Sequence, residues 1–227
     1  MSALHTELDP AVHGYVSRSY PHNHDYRVIG GRLRPRWKLW WRARRIRRLY
    51  PDGPTSLLDL SSSKGYFVLC AAADGCERVL GIDVHERDLA ASRAVRDHLG
   101  LERARFEQLR LDELVRRIDD FGGPFQTVLL INTYPYLYFG SERSEQSYPD
   151  HDVLFDMLRT VCTERVVFSN RTELARCPRH IRACAAERGL GADFSETRIL
   201  AAARARFEVT AHGHLVRGVP LWLLHTR

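Results

Sequence analysis

The sequence predicts an α/β protein with a doubly wound, mostly parallel seven-stranded sheet that ends in an antiparallel hairpin. From residue 51 onward, short β-like runs alternate with segments of helical periodicity. The run FQTVLLIN at 125–132 contains the continuous apolar stretch VLLI, as in a parallel strand that helices cover on both faces. The last two β-like runs are only about seven residues apart, which suits a hairpin and not a helical crossover.

Local patterns define the individual elements. We predict strands at 56–60, 78–83, 105–109, 125–132, 165–169, 206–212 and 220–226. We predict helices at 36–50, 64–73, 86–99, 111–118, 152–162 and 174–188. The first helix has Leu39, Ala43, Ile46 and Tyr50 at helical spacing and stops at the Pro and Gly residues of 51–54. Residues 1–31 have little periodicity and are predicted to be an arm that packing orders.

The predicted organisation has two parts. Residues 1–50 are the N-terminal arm and a basic helix that pack on the core, and residues 51–227 are the ligand-binding domain. A chain of 227 residues with 44% hydrophobic content can bury a core of this size. The uncharged apolar segment Tyr66–Ala73 is far shorter than the roughly 20 residues of a spanning helix. The N-terminus also lacks the pattern of a secretory signal, so we expect a cytoplasmic protein and no membrane.

Cysteine and charge content limit the possible classes of partner. The five cysteines include no C-x-x-C pair, which favours free thiols over a disulfide framework or a zinc site, and no metal is expected. The net charge is +6, and 32 of the 34 basic residues are Arg. Such a skew also arises from a GC-rich genome, so the net charge alone identifies no partner.

The stretch LLDLSSSKG at 57–65 forms the turn between the first predicted strand of the sheet and its helix. Ligands of α/β sheets bind at such turns, where backbone amides are free. A P-loop needs G-x-x-x-x-G-K-[ST], but here Gly65 follows Lys64 and the loop is too short. A dinucleotide fingerprint would place Tyr66 where a third glycine must allow close packing, so this alternative is also poor.

The same turn resembles the acidic-x-Gly-x-Gly-x-Gly loop of class I S-adenosylmethionine-dependent methyltransferases. Asp59 takes the acidic position, and Ser61, Ser63 and Gly65 take the three glycine positions. Serine is small enough for the backbone to pass close to a ligand, but a positive φ is costly for it. The resemblance implies a Rossmann-like methyltransferase fold, with Asp59, Leu60, Ser61, Ser63 and Gly65 at the amino-acid end of the cofactor.

Two further strands extend the resemblance. The run VLGID at 79–83 ends in Asp83, which the resemblance assigns to the ribose hydroxyls of S-adenosylmethionine. The run TVLLIN at 127–132 resembles the fourth strand of the family, so Asn132 is expected near the reactive methyl group. Next to it, Tyr134 and His151 are our candidates for aligning or deprotonating the acceptor, because a tyrosine hydroxyl can bind a nucleophile and a histidine titrates near working pH.

The acceptor is expected to be a small molecule, methylated on an O, N or C atom. The segment from Arg32 to Arg48 leaves an alternative open, because it combines dense arginines with Trp37, Trp40 and Trp41. Such residues could bind RNA as the methyl acceptor, or the helix could be a solvated face whose tryptophans pack on the sheet or cover the cofactor. A second alternative is a non-catalytic binding protein that kept the fold.

Overall fold

The computed structural model describes residues 7–141 and 146–227, and the chain divides into two compact units, 1–108 and 109–227. The first unit begins with a helix, a 3₁₀ turn (His22–His24) and a hairpin, followed by a second helix, two strand–helix repeats and a final strand. In order, its elements are α1 (Pro10–Arg18), β1 (Tyr26–Ile29), β2 (Arg32–Pro35), α2 (Trp37–Arg47), β3 (Ser56–Asp59), α3 (Tyr66–Ala73), β4 (Arg78–Asp83), α4 (Glu86–Leu99) and β5 (Ala104–Gln108).

The second unit contains four strands and five helices among its described residues, with 3₁₀ turns at Ile118–Phe121 and Leu174–Arg176. In order, its elements are α5 (Leu111–Arg116), β6 (Phe125–Ile131), α6 (Tyr134–Phe139), α7 (His151–Val161), β7 (Cys162–Ser169), α8 (Arg179–Glu187), α9 (Glu196–Arg206), β8 (Phe207–Val216) and β9 (Val219–Thr226).

The main sheet has seven strands in the order β5-β4-β3-β6-β7-β9-β8. Within the first unit β3 pairs with β4 and β4 with β5, both in parallel. Within the second unit β6 and β7 are parallel, whereas β9 runs antiparallel to both β7 and β8. The predicted fold class, a mostly parallel doubly wound sheet with a C-terminal antiparallel hairpin, is therefore confirmed.

Three predictions about elements were wrong in detail. The arm contains α1 and the β1–β2 hairpin, whereas the sequence predicts an ordered arm without assigned helices or strands. The helices α6 and α9 were not predicted, and the predicted helix 174–188 is a 3₁₀ turn followed by α8. The C-terminal strands are longer than predicted and are joined by Arg217-Gly218 alone, with Gly218 at a φ of 72°. A two-residue hairpin loop of this kind needs positive φ, which glycine supplies.

Helix α2 differs most from its prediction. Leu39, Ala43 and Ile46 are buried as expected. The expected packing of the tryptophans on the sheet is wrong, because Trp37, Trp40 and Trp41 are 73%, 49% and 47% exposed.

Two other expectations concern the state of the cysteines and the presence of membrane-spanning helices. The described cysteines are free, as expected, and four of the five are buried. Across residues 7–141 and 146–227, no helix is both long enough and apolar enough to cross a bilayer.

Candidate functional site

The loop after β3 is fixed by backbone hydrogen bonds at the carboxyl end of the strand. β3 ends at Asp59 and α3 begins at Tyr66. The Ser62 amide donates to the Ile82 carbonyl at 3.0 Å, and the Gly65 amide donates to the Ser62 carbonyl at 2.8 Å. One bond ties the loop to the neighbouring strand β4 and the other closes the turn, so the loop has a defined conformation.

Ser63 occupies a backbone conformation that favours glycine. Its φ is 46°, in the left-handed region, where a side chain costs roughly 1 kcal/mol or more. The backbone is held there by two bonds: its amide donates to Asp83 Oδ2 at 2.9 Å, and its carbonyl accepts from Ser92 Oγ at 3.2 Å. Ser61 is outside the positive-φ region. The expected cost of serine in this loop therefore applies to Ser63 alone.

Gly65 is required by both conformation and packing. Its φ is 76°, and a Cβ there would lie 2.7 Å from Ser92 Oγ and 2.8 Å from Phe106 Cζ. Gly81 plays the matching role in β4, because a Cβ there would lie 2.7 Å from the Ser62 Cβ. The loop thus packs directly on β4, β5 and α4, with no space for another methyl group at these two positions.

Asp83 ends β4 and caps the loop. Its two carboxylate oxygens each accept one backbone amide, Oδ2 from Ser63 and Oδ1 from His85 at 3.0 Å. Burial raises the pKa of Asp83 above its usual value, and these two hydrogen bonds oppose that rise. Each carboxylate oxygen has a second lone-pair direction, so the carboxylate can still accept hydrogen bonds from the hydroxyl groups of a ligand.

Asp59 is the more deeply buried carboxyl of the two. Its side chain is only 3% exposed, and its Oδ1 accepts the Ser61 amide at 3.3 Å. Its pKa is raised to about 7: burial is the main cause and the nearby Asp83 adds to the rise, whereas the Ser61 amide and Arg42 oppose it. Arg42 is itself buried, and burial lowers its pKa to about 10. A cationic group beside Asp59 would stabilise the ionised form of this carboxyl, because the positive charge offsets the free-energy cost of burying the carboxylate charge.

Lys64 ties the loop to the N-terminal segment. Its side chain is fully buried, and its Nζ donates to Asp25 Oδ1 and to the Ser19 carbonyl, both at 2.6 Å. The Tyr26 hydroxyl donates to the Lys64 carbonyl at 2.7 Å. Asp25 is buried as well and also contacts His22 Nδ1 at 3.2 Å. The conformation of the loop thus depends on residues 19–26 through one buried ion pair and two further hydrogen bonds.

In the second unit, Asn132 follows β6 with a φ of 59°, again in the left-handed region. Asn170, which follows β7, organises this turn from a fully buried position. Its Oδ1 accepts the amides of Thr133 and Tyr134 at 2.6 and 2.9 Å, and its Nδ2 donates to the Leu130 carbonyl at 2.7 Å. The turn after β6 is therefore preorganised, and strained backbone of this kind is often found at functional sites.

Tyr134 and His151 contact each other directly. The Tyr134 hydroxyl lies 2.7 Å from His151 Nδ1, and His151 Nε2 lies 3.1 Å from the Asp193 carbonyl. A carbonyl only accepts, so Nε2 carries the proton and Nδ1 accepts the proton of the tyrosine hydroxyl. Burial raises the pKa of Tyr134 well above its usual value and lowers that of His151. Both side chains are therefore neutral at pH 7.

No family model and no curated protein sequence matches this chain. WbdD, solved with a kinase inhibitor, is 17% identical with a TM-score of 0.60, over 81% of this chain and 40% of WbdD. The N-terminal domain of EvdMO1 with SAH bound is 17% identical with a TM-score of 0.55, over 82% of this chain and 81% of that domain. WbdD is described as a bifunctional kinase-methyltransferase.

The chain has a methyltransferase fold. It spans about two fifths of the length of WbdD and of the longer EvdMO1 chain. At these identities the likeness concerns the fold, and it leaves the activity to be argued from the residues.

The methyltransferase fold distributes the predicted site residues over the two units. The first unit holds the loop residues and Asp83, which the structure joins by hydrogen bonds; Leu60 is 6% exposed beside Asp59. The second unit holds Asn132, Tyr134 and His151, of which the last two contact each other. The geometry alone does not identify a catalytic group, so the roles of these residues remain predictions.

Sequence reasoning missed three residues that position predicted site residues within one unit or the other. The Lys64–Asp25 pair joins residues 39 positions apart, and no periodicity or motif connects them. Asn170 had a usable signal, because it follows a buried strand directly, in the position that Asn132 takes after β6. Polar residues at consecutive strand ends are candidates for the ligand-binding edge of an α/β sheet.

The residues of the first unit fit a ligand that carries a cationic group and also hydroxyl groups. Two carboxyls with raised pKa values, one buried and one partly buried, are available at neighbouring strand ends. The hydroxyls of Ser62 and Ser63 are buried without a hydrogen-bond partner, although most buried polar groups have one. In the described part of the chain, His, Cys, Asp and Glu side chains form no group of three that could hold a metal ion.

Proposed function

We propose that this chain binds S-adenosylmethionine at the β3–α3 loop and at Asp83, and transfers its methyl group to a small-molecule acceptor. The observation that carries the proposal is a pair of carboxyls, the buried Asp59 and the partly buried Asp83, at the ends of two paired parallel strands with a tight loop between them. The methyltransferase fold supports it, as does the SAH bound to the EvdMO1 domain. SAH is the form in which the donor remains after losing its methyl group.

The proposed roles follow from the environment of each carboxyl. Asp59, with a pKa near 7, suits the ammonium end of the cofactor, because the added positive charge favours the ionised carboxylate. Asp83 keeps lone pairs for two ribose hydroxyls while the Ser63 and His85 amides hold its orientation.

Methyl transfer from an activated donor requires few catalytic groups from the protein. When bound, S-adenosylmethionine supplies an activated methyl group on a sulfonium that leaves as a neutral thioether. The protein then has to align donor and acceptor and exclude water. The rigid turn at Asn132, held by Asn170, suits such positioning in the second unit. Tyr134 and His151 are proposed to act on the acceptor side, with the hydroxyl hydrogen-bonded to Nδ1 as the resting state.

Calorimetry with S-adenosylmethionine tests cofactor binding. We expect S-adenosylmethionine to bind the wild type, and its affinity for Asp83→Asn to be lower by about 10-fold or more, because the substitution replaces a charged carboxylate by a neutral amide. Asp52→Asn is the matched control, since Asp52 is exposed in the same unit and should leave affinity unchanged. No binding at millimolar cofactor would overturn the proposal and favour a non-catalytic protein that kept the fold.

A second experiment tests transfer itself. Labelled cofactor is incubated with protein and a small-molecule extract, and products are searched by mass spectrometry for the gain of one methyl group in place of hydrogen. D-Fucose is a reasonable first pure compound, because the EvdMO1 domain has been crystallised in its presence with SAH. Transfer to purified RNA but to no small molecule would replace the proposed acceptor class and leave cofactor binding intact.

A further inference from the structure

The positive charge of this protein is concentrated in one segment. Residues 26–50 contain ten Arg or Lys and no Asp or Glu. The remaining residues contain 24 basic and 28 acidic side chains, a net charge of −4 against +10 for the segment. A genome-wide preference for arginine would not confine the excess to 25 residues. The local excess therefore indicates an anionic partner for this segment.

Exposed apolar side chains are concentrated at the same place. Among the described residues, seven large apolar side chains are exposed, and five of them fall between positions 20 and 41. The five are Tyr20, Ile29, Trp37, Trp40 and Trp41. Clustered exposed apolar side chains mark interaction surfaces.

On α2 the tryptophans form a stripe with arginines. Trp37, Trp40, Trp41, Arg44 and Arg48 are exposed and follow one another at i, i+3, i+4, i+7 and i+11, which places them on one face, here named the Trp/Arg face. The opposite face, with Leu39, Ala43 and Ile46, is buried in the protein. The Trp/Arg face is thus not required for the core.

Cations accompany each tryptophan ring. Lys38 Nζ lies 5.7 Å from the Trp37 ring centroid. The guanidinium carbons of Arg44 and Arg45 lie 5.7 and 5.1 Å from the rings of Trp40 and Trp41. The hairpin repeats this chemistry, because Arg27 and Arg34, both exposed, are direct cross-strand partners, as are Ile29 and Arg32. Like charges directly opposite destabilise a hairpin, and an anionic surface would relieve that repulsion.

We propose that the Trp/Arg face, together with the basic face of the β1–β2 hairpin, binds the surface of a membrane that contains anionic lipids. Tryptophan is favoured at the membrane–water interface, and exposed Lys and Arg are attracted to anionic head groups. The long arginine stems let the charged ends reach the head groups while the rings enter more deeply. The helix would lie along the surface without crossing the bilayer.

A membrane fits these side chains better than single-stranded nucleic acid. A stacking platform presents open aromatic faces to successive bases, whereas each tryptophan here has a cation over its ring. Exposed Ile29 offers nothing to a base or a phosphate, but it suits a lipid interface. The proposal replaces our expectation of no membrane partner, and it does not rest on methyl transfer.

Vesicle co-sedimentation tests the proposal. With phosphatidylcholine vesicles that contain about 30% phosphatidylglycerol, we expect binding that weakens with salt, and little binding to phosphatidylcholine alone. Each exposed cation contributes about a fivefold gain in partitioning. The triple variant Lys38→Gln/Arg44→Gln/Arg48→Gln should therefore bind roughly 100-fold more weakly. Tryptophan emission should shift to the blue on binding, because three of the four tryptophans lie on the Trp/Arg face.

Matched variants separate the face from net charge. Arg103→Gln/Arg204→Gln/Arg217→Gln removes the same charge from other exposed positions and should keep wild-type vesicle binding. Trp40→Ala/Trp41→Ala keeps every cation and should lower binding by about 10-fold or more. Equal losses in both triple variants, or no loss in the tryptophan variant, would overturn the role of the face.

The remaining outcomes come from binding measurements on the wild-type protein. Indifference to phosphatidylglycerol would overturn the proposal even if a variant failed to fold. Salt-sensitive binding to a single-stranded RNA oligonucleotide without vesicle binding would overturn it in favour of nucleic acid. Vesicle binding by a protein that binds no S-adenosylmethionine would support it while contradicting the proposed function, so the two failures are distinguishable.

Discussion

Asp59 is a carboxyl that the fold stabilises in its neutral form. Its pKa of about 7, against the usual 3.8, corresponds to roughly 4 kcal/mol of preference for the protonated state. In the unfolded chain it ionises near pH 4, but in the folded protein only near pH 7. Its contribution to folding stability is therefore complete below about pH 4 and is lost as the pH rises to 7. A residue that lowers stability at working pH is more easily explained by ligand binding than by packing.

Replacing Asp59 tests this directly. In denaturant titrations at pH 8, we expect Asp59→Asn to be more stable than the wild type by up to about 4 kcal/mol, because no buried charge has to form. At pH 4 the two proteins should converge. The same variant should lose affinity for S-adenosylmethionine. The control Asp52→Asn should change neither property, and an Asp59→Asn protein less stable at pH 8 would contradict the assignment.

Ser63 and Gly65 form a second test at residue scale, because both have positive φ. Ser63→Gly should raise the free energy of unfolding by about 0.5–1 kcal/mol, since it relieves left-handed strain and removes a buried hydroxyl without a partner. Gly65→Ala should lower it by about 2–4 kcal/mol, because its methyl group would overlap Ser92 and Phe106. Thermal or urea unfolding measures both. A stabilising Gly65→Ala would contradict the packing described here.

At the scale of elements, the sequence predicted the sheet better than the helices. All seven strands of the main sheet were placed within a few residues, because continuous apolar runs such as 128–131 are strong signals. Helix α9 escaped notice since its buried residues Ile199, Ala202 and Ala203 form a weak apolar stripe in an alanine- and arginine-rich segment. Helix α6 is a single short helix with Pro135 in its first turn, a pattern that also fits a loop.

The site shows the same division between local and distant information. Asp59, Ser63, Gly65 and Asp83 could be found from spacing along the chain, because loop and strand ends are local features. The anchoring of the loop by Asp25 could not be found, since it depends on where the arm packs. The neutral Tyr134–His151 pair likewise depends on burial, which the sequence does not specify for single polar residues.

The arm and the loop are coupled through the buried Lys64–Asp25 pair. Asp25→Asn should lower the free energy of unfolding by about 3–5 kcal/mol, because it leaves the Lys64 ammonium buried without a counter-charge. Lys64→Met with Asp25→Leu should recover much of that loss, since both buried charges are then absent. A double-mutant cycle in urea measures the coupling. Additive effects of the two substitutions would contradict a direct interaction.

At the scale of the whole molecule, buried titratable groups of opposite type influence stability in opposite directions. Burial raises the pKa values of Asp59 and Asp83, so their ionisation weakens the fold as the pH rises. Burial lowers the pKa values of His24 and His151, so their protonation weakens the fold as the pH falls below about 6.5. Between pH 5 and 7 the two slopes have opposite signs, and the wild type should show a weak net dependence.

Single substitutions should separate the two slopes. His151→Gln keeps a donor for the Asp193 carbonyl and an acceptor for the Tyr134 hydroxyl but cannot take up a proton. Its stability relative to the wild type should therefore rise as the pH falls from 7 to 5, whereas that of Asp59→Asn should rise as the pH increases over the same range. Denaturant midpoints at pH 5, 6 and 7 measure both. Parallel pH profiles for the two variants would show that these side chains are not buried in their neutral forms.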